Sequence, residues 1–183
     1  MIIGKEILRY DIVDSTNDEA KRLIASGHGE GLVVVAAAQS KGRGKQGSHW
    51  ASPAGMGLYL SAVVLPFKDL VALVPITLVV AKAVGAAIEK ASGLKTEIKP
   101  PNDVLLNGKK ICGVLVERLV SGHVIIGLGV NVNTPAAELL PAKIGQPATS
   151  LLLETGRESD LESFFHEVLA TLDHRYLAYL NEI

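Results

Sequence analysis

Four segments, TEIK (96–99), DVLL (103–106), KICGVLVERLV (110–120) and HVIIGLGVNVN (123–133), follow one another with almost nothing between them. Each has the length and the apolar content of a strand. Asn107-Gly108 and Ser121-Gly122 are the two-residue pairs that turn one strand straight back onto the next. Strands joined this tightly must pair antiparallel, because parallel neighbours need a crossover of a dozen or more residues. This succession therefore points to an α/β fold of the α+β type, a mixed, largely antiparallel sheet flanked by helices, rather than a doubly wound one.

The remaining elements fit around that sheet. Thr16 and Glu19 have the spacing of a capping box, with Ala20, Leu23 and Ile24 on one helical face behind them, which predicts a helix from near Asn17 to Gly27. LVVVAAAQ (32–39) reads as a buried strand and MGLYLSAVVL (56–65) as another. A helix is expected from near Pro75 to Gly93, since proline in a first turn removes an N–H that has no partner there. TPAAELLPAKIGQPATS (134–150) is a long connection, and Ser159 with Glu162 predicts a cap for a last helix from Asp160.

A chain of 183 residues, 48% hydrophobic and 20% charged, is long enough for one sizeable core, so residues 1–183 are expected to form a single domain. A formal net charge of −1 argues against nucleic acid as a partner. The longest apolar stretch is interrupted by Pro75, Thr77, Lys82 and Gly85, which suits a buried helix rather than a membrane span. Lys5, Glu6 and Arg9 break the apolar residues of the start, so no secretion signal is expected there. The single Cys112 cannot form an internal disulfide, which fits a cytoplasmic protein, and its apolar setting reads as core. The five histidines show no metal-ligand spacing.

SKGRGKQGSHW (40–50) places Gly42, Gly44 and Gly47 in the spacing of a dinucleotide-binding turn. That turn needs a helix beginning on the glycines, and here Pro53, Gly55 and Gly57 follow instead. What remains is a loop whose backbone can approach a ligand closely and whose Lys41, Arg43 and Lys45 suit an anion; taken alone it reads more readily as a solvated turn. In IKPPNDVLLNGKKICG (98–113), two prolines hold Asn102 and Asp103 at a strand end while the hairpin returns Lys109 and Lys110 toward them. In GLGVNVN (127–133), Gly127 and Gly129 fall on one face of an otherwise bulky strand, leaving room for a ligand or for tight packing.

Together these stretches resemble the catalytic domain of biotin protein ligases. The matching pieces, in order, are Ser15-Thr16-Asn17, Gln39 to Gly44, Trp50, Lys99 to Asp103, Gly108 to Gly113 and Gly127 to Asn131. The resemblance implies the biotin ligase-like fold shared with class II aminoacyl-tRNA synthetases. It also implies a two-step reaction: biotin and ATP, with Mg²⁺, give biotinyl-5′-AMP and pyrophosphate, and a lysine of a biotin carboxyl carrier protein then takes the biotinyl group.

By the same resemblance, Ser15, Thr16, Asn17, Gln39, Gly42, Gly113, Gly127 and Gly129 hold biotin. Arg43 and Lys110 contact both biotin and the nucleotide and, with Asp103, form the catalytic set; Asp103 is also the candidate Mg²⁺ contact. Gly44, Lys45, Trp50, Lys99, Asn102 and Asn131 complete the ATP and adenylate site, with Trp50 stacked on adenine. The family loop is usually richer in arginine than this one, which has Lys45 and Ser48, and Pro100 stands where an aromatic residue is usual. A homodimer is implied, without the DNA-binding helix-turn-helix domain and the C-terminal β-barrel that many relatives carry. Two other readings share these features: a lipoate-type protein ligase, and a non-catalytic protein that binds biotin or its adenylate.

Overall fold

The computed structural model describes residues 1–66, 73–139 and 147–182. Parts of two expected segments, residues 70–72 of the apolar stretch and 140–146 of the long connection, lie outside the described residues. The strands are β1 Glu6–Val13, β2 Leu32–Gln39, β3 Gly57–Val64, β4 Thr96–Lys99, β5 Asp103–Leu106, β6 Lys109–Arg118 and β7 Val124–Asn131. The helices are α1 Thr16–Ala25, α2 Leu73–Ser92, α3 Leu151–Thr155 and α4 Leu161–Glu182.

All seven strands form one sheet in the order β1-β2-β3-β7-β6-β5-β4. Only β1 and β2 run parallel, joined by α1; the other neighbouring pairs are antiparallel, as the hairpin pairs predict. Asn107 and Gly108 have φ of 51° and 74°, the two positive values that a tight hairpin turn with right-handed strand twist demands.

Alternation along the strands sorts side chains onto the two faces. Leu58, Leu60 and Ala62 of β3 and Ile126, Leu128 and Val130 of β7 point into the larger core, which α2 and α4 cover. On α2 the buried residues Ile76, Val80, Ala83, Val84, Ala87 and Ile88 explain why this stretch is so apolar without spanning a membrane. Among the described residues no helix is long and apolar enough to cross one. On the opposite face, α1 packs Ala20 over Leu32, Val34, Val63 and Ile125. It covers only part of the sheet, and among the described residues the neighbouring part of that face holds a cavity.

Several local expectations are corrected. The capping box at Thr16 and Glu19 does not form: Ser15 is the N-cap, no side chain of α1 caps it, and Thr16 is already helical. Gln39 of β2 performs the capping instead, its Oε1 accepting the Thr16 N–H at 2.8 Å, so a tertiary acceptor replaces a local one. At α4 the cap is Asp160, whose Oδ1 accepts from Ser163 N at 2.8 Å, while Ser159 N donates to Asn133. Helix α2 begins two residues before Pro75, which still leaves that proline in a first turn where its missing N–H has no partner. Strand β1, broken by Glu6, Arg9 and Asp11, lacked a legible apolar alternation because it is a sheet edge with one side in water.

Cys112 is fully buried, and burial pushes its thiol up to about 12. The folded protein at pH 8 is therefore expected to leave Cys112 unmodified by a thiol-disulfide reagent over hours, with full reaction only in denaturant. Rapid reaction of the native protein would show that this part of the core opens readily.

Candidate functional site

The open part of the α1 face is a cavity of about 510 Å³. Its floor is β6 and β7, and its rim is the start of α1, the glycine loop and the β4–β5 turn. Of the candidate residues, Ser15, Thr16, Asn17 and Gln39 line one end, and Asn102, Asp103, Lys110 and Asn131 the other. Arg43, Gly44, Lys45 and Trp50 come in from the loop, and Gly113, Gly127 and Gly129 form the floor.

Two candidates are not brought in. Gly42 does not line the cavity; a Cβ there would collide with the Trp50 carbonyl, so its smallness lets the two arms of the loop approach, with Trp50 N donating to Gly42 O at 2.9 Å. Lys99 ends β4, exposed and outside the lining, because the residue in register with Asp103 on the next strand is carried past the rim. The hairpin also returns only one of its two lysines to Asp103. Lys109 pairs with Glu154 at 3.0 Å, whereas Lys110 Nζ lies 2.7 Å from Asp103 Oδ1.

That division has a backbone cause. Val104 pairs with Cys112 and Leu105 with Lys110, so Ile111 is an extra residue, a β-bulge. Ile111 and Cys112 can then both be buried in the large core although they are neighbours. The bulge resets the alternation, and Lys110 joins Gly113 on the cavity face instead of following Cys112 into the core.

The floor glycines are matched to two side chains. A Cβ on Gly113 would lie 3.0 Å from the Trp50 ring, one on Gly129 would collide with Trp50 Nε1, and one on Gly127 with Asn17 Oδ1. The indole thus lies over the two strands, with Lys110 Nζ 5.4 Å from a Trp50 ring centroid. Its Nε1 is buried and has no hydrogen-bond partner among the described residues.

Charge is concentrated beside the Asn17 end. Arg43 Nη2 is 2.7 Å from Asp18 and 3.1 Å from Glu117, and Lys21 Nζ reaches the same two carboxylates at 3.2 and 2.9 Å. Burial pushes the Glu117 carboxyl upward, but hydrogen bonds from Asn17 and Lys21 and the charges of Lys21 and Arg43 outweigh it and leave the group below the ordinary value. Arg43 Nε, like the indole nitrogen, is a buried donor with no partner among the described residues. Two unmatched donors, an ammonium and a glycine floor suit a flat ligand rich in acceptor oxygens.

Sequence reading missed Asp18, Ser52, Ser61 and Glu117. Ser61 is wholly buried on β3, and a serine among LYLSAVV was the available signal, a polar group that a buried strand must satisfy.

A basic glycine loop over a glycine-floored cavity on a mixed sheet defines an α/β fold with a candidate site for a small anionic ligand. The model of the biotin/lipoate A/B protein ligase family matches residues 10–131, and the chain belongs to that family. It is 35% identical over 183 residues to the bifunctional ligase/repressor BirA of Bacillus subtilis (strain 168), covering 98% of this chain and 56% of that protein. Against the biotin--[acetyl-CoA-carboxylase] ligase of Paracoccus denitrificans the identity is 37% over 175 residues, with 92% and 71% covered. The fold superposes on the biotin protein ligase from Aquifex aeolicus in complex with biotin and ATP with a TM-score of 0.82 at 32% identity, covering 97% of this chain and 72% of that one. The chain thus spans a little over half the length of the Bacillus relative.

Proposed function

We propose that this chain is a biotin protein ligase: it joins biotin to ATP as biotinyl-5′-AMP and passes the biotinyl group to a lysine of a biotin carboxyl carrier protein. The observation that carries this reading is a cavity lined by Arg43, Trp50 and the Lys110–Asp103 pair, in which Arg43 Nε and Trp50 Nε1 are buried and have no partner among the described residues. In the first step a biotin carboxylate oxygen attacks the α-phosphorus and the bond to pyrophosphate breaks. Both reactants are anionic, so cations must stand where their charges meet. Arg43 and Lys110 supply them, and Asp103 holds the ammonium in place. In the second step the carrier amine attacks the acyl carbon, AMP leaves, and the amine loses a proton.

Asp103 is the cavity carboxylate that could hold Mg²⁺, and no cluster of three or more His, Cys, Asp or Glu exists among the described residues. This fits an ion that arrives on ATP and keeps most of its ligands as phosphate oxygens and water. Gly42 and Lys99 aside, the remaining expected residues keep their proposed roles, with Asn102 and Asn131 at the nucleotide end and Ser15, Thr16 and Gln39 at the biotin end. The proposed setting is the cytoplasm, in line with the lone thiol.

The test is incubation with biotin, lipoate, MgATP and a carrier domain, read by mass spectrometry. A biotinyl adduct on the carrier lysine supports the reading. A lipoyl adduct alone would replace it with a lipoate ligase, and biotin binding without any adduct with a non-catalytic binder. We also propose a homodimer formed through the sheet, since among the described residues β1 is an edge strand with one side unpaired and Ile12 on it is 63% exposed. Sedimentation at about tens of micromolar, above ordinary dimer dissociation constants, should give twice the chain mass; monomer alone would exclude this dimer.

A further inference from the structure

Strand β7 pairs with β6 only as far as Cys112, and beyond that point residues 147–149 lie beside β6 in its place. Lys110 N donates to the Pro147 carbonyl at 2.8 Å, and Thr149 N donates to the Lys110 carbonyl at 2.9 Å. Both backbone polar groups of Lys110 are thus spent on this segment. Asn131 Nδ2 ties the same segment to the end of β7, donating to the Thr149 carbonyl at 3.0 Å.

The segment is fixed in turn by one carboxylate. The Thr149 hydroxyl donates to Glu154 on α3, whose two oxygens also accept from Asn107 Nδ2 at 2.7 Å and from Lys109 Nζ at 3.0 Å. Burial pushes the Glu154 carboxyl upward, but the hydrogen bonds from Thr149, Asn107 and Lys109 and the charge of Lys109 outweigh it and leave the group below the ordinary value. It therefore stays a pure acceptor at neutral pH. Lys109 shares the face of its register partner Leu106, a residue of the larger core, so Glu154 grips the hairpin from the side of the sheet away from the cavity. Neither Thr149 nor Glu154 lines the cavity, whereas Lys110 and Ala148 do.

We infer that Glu154 is a positioning residue for adenylate formation: by holding Thr149 and the Asn107-Gly108 hairpin on one carboxylate, it fixes the stretch of β6 from which Lys110 reaches Asp103. This rests on the biotin ligase reading above. Without that carboxylate the hairpin and the 147–149 segment lose their common anchor, and Lys110 Nζ loses its fixed place 2.7 Å from Asp103 Oδ1. A misplacement of about 1 Å at a reacting centre can cost about 10²-fold in rate. Biotin binding should be spared, because Ser15, Thr16 and Gln39 line the other end of the cavity.

The test measures pyrophosphate release in a single turnover with biotin and MgATP for Glu154→Ala and Thr149→Val, each made in the wild type and in Lys110→Ala. In the wild-type background either substitution should slow the step by about tenfold or more, while biotin affinity by calorimetry changes by less than about twofold. In the Lys110→Ala background neither should slow it further, since the group they position is gone. A merely structural role would slow both backgrounds alike or weaken biotin binding in parallel. Either of those results, or a wild-type rate in both variants, would overturn the inference and leave the biotin reading standing. Thr149→Val keeps the side-chain shape and loses only the hydroxyl, so it carries the test should Glu154→Ala fail to fold. Failure of the wild type to release pyrophosphate with biotin and MgATP would overturn both the inference and the reading.

Discussion

Lys110→Ala is expected to slow adenylate formation by about 10²-fold or more while biotin affinity falls far less. The ammonium stands within the cavity, 2.7 Å from Asp103 and over the Trp50 ring. In the proposed reaction a cation there would gain interaction as negative charge builds on the reacting phosphoryl oxygens, a gain absent from the binding of biotin alone. Lys110 is 21% exposed and lies beside a bulge rather than in the core, so its truncation should not unfold the chain. Pyrophosphate release measured in single turnover reports the chemistry, and calorimetry with biotin reports binding. Near-normal pyrophosphate release would remove Lys110 from the catalytic set; an equal loss of both would make it a binding residue only.

Gly129→Ala should have an effect of comparable size through a different route, by weakening ligand binding about 10²-fold or more. The new methyl group would collide with Trp50 Nε1 and lie 2.5 Å from Cε2. The backbone of β7 is paired on both sides, to β3 and to β6, and cannot give way; the indole, borne on a loop, can. Either the indole is displaced, or the ligand loses the glycine floor. The fold should therefore survive at a cost of about 1–3 kcal/mol, the usual penalty of overpacking. Trp50 is the sole tryptophan, so a shift of its emission on substitution reports the displaced ring without a label. Wild-type biotin affinity in a folded Gly129→Ala protein would show that the floor does not carry the ligand.

What was legible in the sequence was whatever local chemistry enforces. Asn107-Gly108 could only be a tight turn, and the runs on either side could only pair antiparallel, so the β4 to β7 half of the sheet followed from spacing alone. The glycine loop, the proline-held Asn102-Asp103 corner and Gly127 with Gly129 carried the site for a similar reason: each breaks the pattern of its own segment, and such breaks need a tertiary justification. Edge strand β1 was not legible, because a strand wetted on one side need not alternate cleanly.

Other features depend on groups far apart in the chain. Thr16 was read as a cap because its spacing to Glu19 is local; in the fold its backbone N–H and hydroxyl bond instead to Gln39 and Ser61, 23 and 45 residues away. Arg43 was legible as a cation, but not its tether to Asp18 and Glu117, since three elements must be folded before those charges meet. The facing of Lys110 was settled by one inserted residue in β6. Strand period alone would send it into the core with Cys112, and only pairing with β5 shows that Ile111 is bulged and the alternation reset. Residue types and local spacing thus determined which groups were available and where the chain must turn. The tertiary pairing decided which way those groups point, because hydrogen-bond competition and strand register are properties of partners distant in sequence.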